Sequence, residues 1–356
     1  MRPHCYRLLA VGLLAAGLAS ACDTPEPEPT HPAAVNVVAT LYPLADVTAQ
    51  IGGDRVAVTT LLEPGRSPHG FSARVKHVEQ LAAADLLVRM GLGIDAWADD
   101  AVARVSRRKV PVLALAGSDA FARRYGSLAD EPPPATMPAG HDEPHDPAEQ
   151  GHDREGPRAQ QEGDHEHGQE HTHARDGAHG HDHGDWGDPH LWLDPVFMQA
   201  FAEAIAERLA EVDPEGAEGY RRRAEAYIRQ LRQLDADYRR RLADLPHKAF
   251  VSVHPAFTYV ADRYGLRQMT LHGPEGSGIG IGRFDRLRRW IAEHDVGAIF
   301  TEPQFPADRL QALSRELPDL PVGMLDPLGN PNVPGYDGYL PMMRSNLDEL
   351  AEKLGR

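Results

Sequence analysis

DPEGAEGYRRRAEAYIRQLRQLDADYRRRLADL, residues 213–245, divides this 356-residue chain in two. Its apolar positions, Tyr220, Ala224, Tyr227, Leu231, Leu234, Tyr238, Leu242 and Leu245, recur at intervals of three or four with charges between them. That spacing marks one face of an α-helix. Asp213 followed by Pro214 reads as an N-cap and a first-turn residue. At 1.5 Å per residue the helix would run roughly 45 Å, more than a single small domain needs. It reads as a connector.

On its amino side, compact apolar runs at Val35–Ala39, Val56–Leu62, Ala84–Met90 and Val110–Leu115 fit buried strands. Gly52-Gly53-Asp54 signals a turn, and Ser72–Ala84 carries a helical spacing. Asp194-Pro195 opens a further helix that runs to about Glu211. On the carboxyl side, strands are predicted at Lys248–Val253, Gln268–Leu271, Gly297–Thr301 and Val322–Leu325. Helices are predicted at Ala256–Tyr264, Phe284–His294, Arg309–Leu317 and Tyr339–Leu354. Strands alternating with helices argue for parallel βαβ units. The expected fold is α/β, two lobes with parallel sheets (35–213 and 247–356) joined by one long helix (214–246).

The net charge of -16 is unevenly spread. Residues 130–188 hold 16 acidic and 3 basic side chains, which leaves the rest of the chain near -3. That remainder has no basic footprint, so nucleic-acid binding is excluded. Residues 130–188 are rich in Pro, Gly, His and acidic groups and poor in aliphatic ones. Such a segment buries too little apolar surface to offset its ordering entropy, and it reads as a disordered insertion. Ten of the 19 histidines fall within it, among them His141, His145, His165, His167, His171, His173, His179, His181 and His183.

The extreme amino terminus reads as a secretory signal over residues 1–21. Arg2 and Arg7 precede an apolar run, Leu8–Leu18, that is too short for a permanent membrane span. Ala19-Ser20-Ala21-Cys22 resembles a bacterial lipobox, with Ala19 where that pattern usually has Leu. The resemblance implies a lipidated Cys22, and Asp23 after it implies retention at the inner membrane. Residues 22–34 then form the lipidated cysteine and a Pro-rich tether. With at most one cysteine in the mature chain, neither a disulfide framework nor a thiolate zinc finger can form.

The carboxyl ends of parallel strands face the crevice where such folds bind ligands. His69 follows the second strand, His190 precedes the Asp194-capped helix, His254 follows Lys248–Val253, and Asp326 follows Val322–Leu325. Three imidazoles and one carboxylate, two from each lobe, suit a tetrahedral Zn2+ in an interlobe cleft. Blander readings stand beside this one. His69 could cap a helix, His190 could be the last of the histidine tract, and Asp326 before Pro327 could simply initiate a turn. Glu302 in TEPQF is placed near the site as a group that supports the ligands.

SPHGF (67–71), DPHLWLDP (188–195), FVSVHPAFTYVADRYGL (250–266), TEPQF (301–305) and LDPLGN (325–330), in this order around a charged long helix, resemble the cluster A-I metal-binding proteins of ABC importers. The resemblance covers about residues 35–356 apart from the insertion. It implies that the connecting helix is rigid and that His69, His190, His254 and Asp326 hold the metal. It also implies a monomer that passes Zn2+ to a permease in the inner membrane and catalyses no reaction. Manganese members of the family carry Glu where this chain has His254, and zinc members often carry a His-rich loop that serves in capture or sensing. A manganese- or iron-binding member of the family, a zinc buffer or adhesin without a permease, and a zinc-dependent hydrolase are the competing readings.

Overall fold

The computed structural model describes residues 33–105, 109–125, 188–271, 281–305, 315, 317 and 319–356, with residues 281–286 described by backbone alone. The signal segment, Cys22, most of the tether and the loop histidines from His141 to His183 therefore lie outside the described residues. Among the described residues no helix is long and apolar enough to cross a membrane.

Val35–Ala39 (β1), Val56–Thr60 (β2), Leu86–Arg89 (β3) and Val112–Ala114 (β4) form one sheet in the order β2-β1-β3-β4. Every pairing is parallel; Val37 stands opposite Val58 on one side and Leu86 on the other. Near-continuous apolar runs make these strands, because helices cover both faces of a parallel sheet. The crossovers are Tyr42–Gly52 (α1), Val75–Ala83 (α2) and Trp97–Ala103 (α3), and Asp119–Tyr125 (α4) follows β4. The spacing argument predicted α2 but not α1, α3 or α4. The turn at Gly52-Gly53 requires glycine: a Cβ on Gly52 would lie 2.4 Å from that of Val56, and Gly53 has φ 58°.

The second sheet repeats this design. Ala249–Ser252 (β5), Arg267–Thr270 (β6), Val296–Thr301 (β7) and Val322–Met324 (β8) pair in parallel in the order β6-β5-β7-β8. In each sheet the first strand in sequence lies between the second and the third. Between the sheets run Pro195–Val212 (α5) and the long Ala217–Leu242 (α6). Thr258–Arg263 (α7), Ile281–His294 (α8) and Tyr339–Leu354 (α9) complete the described helices. Most of the helix predicted at Arg309–Leu317 lies outside the described residues.

The two Asp-Pro pairs behave differently. Asp194 caps α5 as predicted, its Oδ1 accepting from the amides of Val196 (2.8 Å) and Phe197 (3.4 Å). Asp213 does not cap α6. A 3-10 turn, Pro214–Gly216, intervenes, and Asp213 instead accepts from Arg55 at 2.7 and 2.8 Å and from the Tyr220 hydroxyl at 2.5 Å. A bidentate guanidinium outcompetes neutral amides for a carboxylate, so the regular helix starts later than the sequence suggested. It spans 26 residues, about 39 Å.

Tyr220, Ala224, Tyr227, Leu231, Leu234, Tyr238 and Leu242 of α6 are all buried. They belong to one apolar core that runs from the first sheet through α5 and α6 to Phe250, Ala298 and Phe300 of the second. Arg223 donates to the carbonyls of Ile51 and Gly52 at 2.7 Å, and the Tyr238 hydroxyl to Met343 O at 2.7 Å. The helix is thus pinned to α1 at one end and to α9 at the other. The far face of the second sheet, with Ala249, Val251 and Ile299, packs separately against Leu287 and Trp290.

Candidate metal centre

The strand ends of both sheets deliver side chains to one point. Beyond β2, Leu61 and Leu62 still donate to the carbonyls of Ala39 and Thr40 before the chain turns through SPHGF. Phe71 anchors that turn edge-on against Trp97, with ring centroids 4.6 Å apart, and this holds the loop that carries His69. His190 immediately precedes a buried 3-10 turn, Leu191–Leu193. Trp192 in that turn donates from its indole nitrogen to Pro327 O at 2.7 Å and accepts at its carbonyl from the Tyr339 hydroxyl at 2.8 Å. The His190 loop is therefore fastened to the carboxyl-terminal half. His254 follows β5, where the Ser252 hydroxyl donates to its carbonyl at 2.9 Å.

The ring nitrogens converge. His190 Nε2 lies 3.3 Å from His69 Nε2 and 3.2 Å from His254 Nε2. Among the described residues these three histidines form the one group of donors able to hold a metal ion. Carboxylates settle the tautomers of two of them. His190 Nδ1 is 2.7 Å from Asp188 Oδ1, and His254 Nδ1 is 2.6 Å from Glu302 Oε1. A carboxylate only accepts, so each Nδ1 carries the proton and donates, which leaves each Nε2 a bare lone pair. Burial pushes the His190 imidazolium down, outweighing the upward pull of Asp188, so the ring is neutral near pH 7. Two lone pairs at 3.2 Å repel unless a cation lies between them. A tetrahedral Zn2+ with Zn–N bonds of ~2.0–2.1 Å sets its ligand atoms about 3.3 Å apart, close to the separations found.

The surrounding space is small. Ser67, Pro68, Trp192, Phe305, Pro327 and Leu328 join the histidines, Glu302 and Gln304 around a cavity of about 30 Å3. Pockets for organic ligands begin near ~300 Å3. The size fits an ion with a solvent molecule.

Asp326 is outside the histidine cluster. It is buried beyond β8, and its Oδ1 accepts from the amides of Leu328 (2.9 Å) and Gly329 (3.0 Å). This is the turn-initiating arrangement that an Asp before Pro also allows. Its backbone is clamped by Asn346, whose Oδ1 accepts from Asp326 N at 2.9 Å and whose Nδ2 donates to Asp326 O at 2.8 Å. Glu302 lines the same cavity, its carboxylate against His254 Nδ1. Asp188 was assigned to the disordered insertion, yet it is ordered by His190 N and Nδ1 and by the Tyr259 hydroxyl on its carbonyl. Its signal was the Asp two residues before His190.

The family described as "Zinc-uptake complex component A periplasmic" matches residues 37–353. Zinc-binding protein AdcA of Streptococcus pyogenes serotype M3 is 27% identical over 321 residues, covering 89% of this chain and 55% of the relative. The chain thus spans about half the length of the AdcA relatives it matches. The high-affinity zinc uptake system protein ZnuA of Yersinia pestis is 26% identical over 314 residues, covering 88% of this chain and 89% of the relative. The solved structure of the periplasmic zinc binding protein TroA from Treponema pallidum covers 90% of this chain and 99% of its own, with TM-score 0.66 at 23% identity, and shares the fold.

Proposed function

Because the chain belongs to the family of the periplasmic component A of zinc-uptake complexes, we propose that it captures Zn2+ outside the inner membrane and delivers it to the permease of an ABC importer. The observation that carries this reading is His190 Nε2 at 3.2–3.3 Å from the Nε2 atoms of both His69 and His254, with the His190 and His254 rings held at Nδ1 by Asp188 and Glu302. His69, His190 and His254 are the proposed ligands. Capture replaces solvent on the ion by three imidazoles that are already oriented, so little ordering entropy is lost on binding. Imidazole suits Zn2+ better than Mn2+, which prefers oxygen. Asp188 and Glu302, held against the Nδ1 atoms of His190 and His254, offset part of the charge of the cargo. No covalent chemistry is assigned, and the cavity is too small for an organic substrate.

The same reading places the mature protein in the periplasm as a monomer, lipid-anchored at Cys22. The loop histidines, His141 to His183, form weaker auxiliary sites that raise the local metal concentration or sense surplus.

Competitive titration of the metal-stripped protein with Zn2+ and Mn2+, intact and without residues 130–187, tests the assignment. The deletion spares Asp188. One tight Zn2+ site surviving the deletion, with weaker sites lost, is the expected result. Zinc binding that vanishes with the loop would overturn the site, and Mn2+ prevailing at the surviving site would overturn the metal.

A further inference from the structure

The outward face of α6 is basic. Arg221, Arg222, Arg229, Arg232, Arg239 and Arg240 are exposed along it, against exposed Glu218 and Glu225. Half of these arginines have partners: Arg222 pairs with Glu218 at 3.9 Å, Arg239 with Asp235 at 3.2 Å and Arg240 with Asp237 at 2.6 Å. Among the described residues, Arg221, Arg229 and Arg232 have none. With 3.6 residues per turn these three lie within about 80° of one another, and the whole stripe runs roughly 28 Å. The helix carries no lysine. A guanidinium grips phosphate oxygens with two parallel donors, where an ammonium offers only a point charge.

The chain enters the fold beside the same helix. Ala34 N donates to Arg55 O at 2.9 Å. Arg55 in turn pairs with Asp213 just ahead of α6, and Arg223 in its second turn holds the carbonyls of Ile51 and Gly52. Residue 33 therefore begins near the end of the stripe that carries Arg221. Residues 22–32 before it can reach at most roughly 40 Å when fully extended.

We propose that the outward face of α6 is a membrane-contact surface, on which Arg221, Arg229 and Arg232 take the phosphates of anionic lipid headgroups. The inference rests on the anchoring of Cys22 proposed above, which keeps this face within a tether length of a bilayer. Screening limits each charge to a reach of ~8 Å at physiological ionic strength. The local face, and not the net charge of -16, thus decides what a lipid surface meets. The helix runs from one half of the fold to the other, so contact along it holds both halves at one level above the bilayer. The anchor supplies proximity and the arginines supply orientation, which narrows the search of a loaded protein for its permease.

The test uses the mature chain, residues 22–356, made without its lipid so that the protein face alone is read. Sedimentation is compared with vesicles of phosphatidylcholine and with vesicles of equal parts phosphatidylcholine and phosphatidylglycerol. Binding to the anionic vesicles alone is expected, weakening as salt is raised. Each arginine near such a surface is worth about a fivefold change in binding, so Arg221→Gln, Arg229→Gln and Arg232→Gln together should cost about 100-fold. These exposed positions face away from the core, and an unchanged Zn2+ affinity should show the triple variant folded. Equal sedimentation with both vesicles, sedimentation with neither, or a triple variant that binds like the wild type would overturn the proposal. Wild type retained by polyglutamate but by neither vesicle would assign the face to an acidic polypeptide instead. Failure of the anchor reading shows separately: cells fed labelled palmitate would then leave Cys22 of the full chain unlabelled, whatever the vesicles show.

Discussion

Two carboxylates decide how the histidines can act. Asp188 and Glu302 each hold an Nδ1–H, at 2.7 and 2.6 Å, and so turn bare Nε2 lone pairs toward a common point. Such partners raise ligand basicity and fix ring orientation. Asp188→Ala is expected to lower Zn2+ affinity by roughly 10- to 100-fold, with Asp188→Asn retaining part of it, because an amide oxygen still accepts from Nδ1. Chelator competition measures both; equal affinity in wild type and Asp188→Ala would show that His190 needs no such support. The identities of His69, His190 and His254 were legible from their places after strand ends and beside motifs. The role of Asp188 was not, because composition assigned it to the acidic tract, and only its contacts with His190 and Tyr259 set it apart.

Among the elements, α6 was the most legible and carries the largest mechanical role. Its three-four spacing identified every buried position from Tyr220 to Leu242, although its start was misjudged because Arg55 claims Asp213. Leu231 is fully buried at the middle of this helix, in the core shared by both sheets. Leu231→Ala is expected to cost ~2–5 kcal/mol through the lost burial and the cavity left behind. Because the core is continuous, urea unfolding of the metal-free variant should remain one transition for both halves; two separated transitions would show that α6 does not couple them. The helix α1 was missed although Leu44, Val47, Thr48 and Ile51 carry helical spacing. Its β-branched residues read equally well as extended chain. Helices α3 and α4 have seven residues each, too few to be stable outside their tertiary setting.

At the scale of the whole molecule, the two sheets are joined by more than the long helix. Asp194, buried at the start of α5, pairs with Arg263 of α7, and the Trp192 indole reaches Pro327 O at 2.7 Å. Burial pushes the Asp194 carboxyl up to about 6 even with Arg263 opposing, a sign of how completely this junction excludes water. With such ties a wide hinge closure would break buried contacts, so metal loading is expected to reorder loops and tilt the halves only slightly. Small-angle scattering of the chain lacking residues 130–187, with and without Zn2+, should give nearly superimposable profiles. A marked compaction on loading would show that the junction opens and closes.

Alternation of apolar runs with helical spacings was enough to specify two parallel α/β halves around a connector, because burial on both faces of a sheet leaves a local pattern in the chain. Two strand ends and the DPHLWLDP motif likewise marked three histidines that the fold brings together, since connectivity brings strand ends to one crevice. The direction each side chain takes there depends on partners distant in sequence or competing nearby. Asp326 turns to the amides of Leu328 and Gly329, and Asp213 to Arg55 158 residues away. Such choices are settled by which donor lies within about 3 Å after folding, and no spacing rule contains that distance.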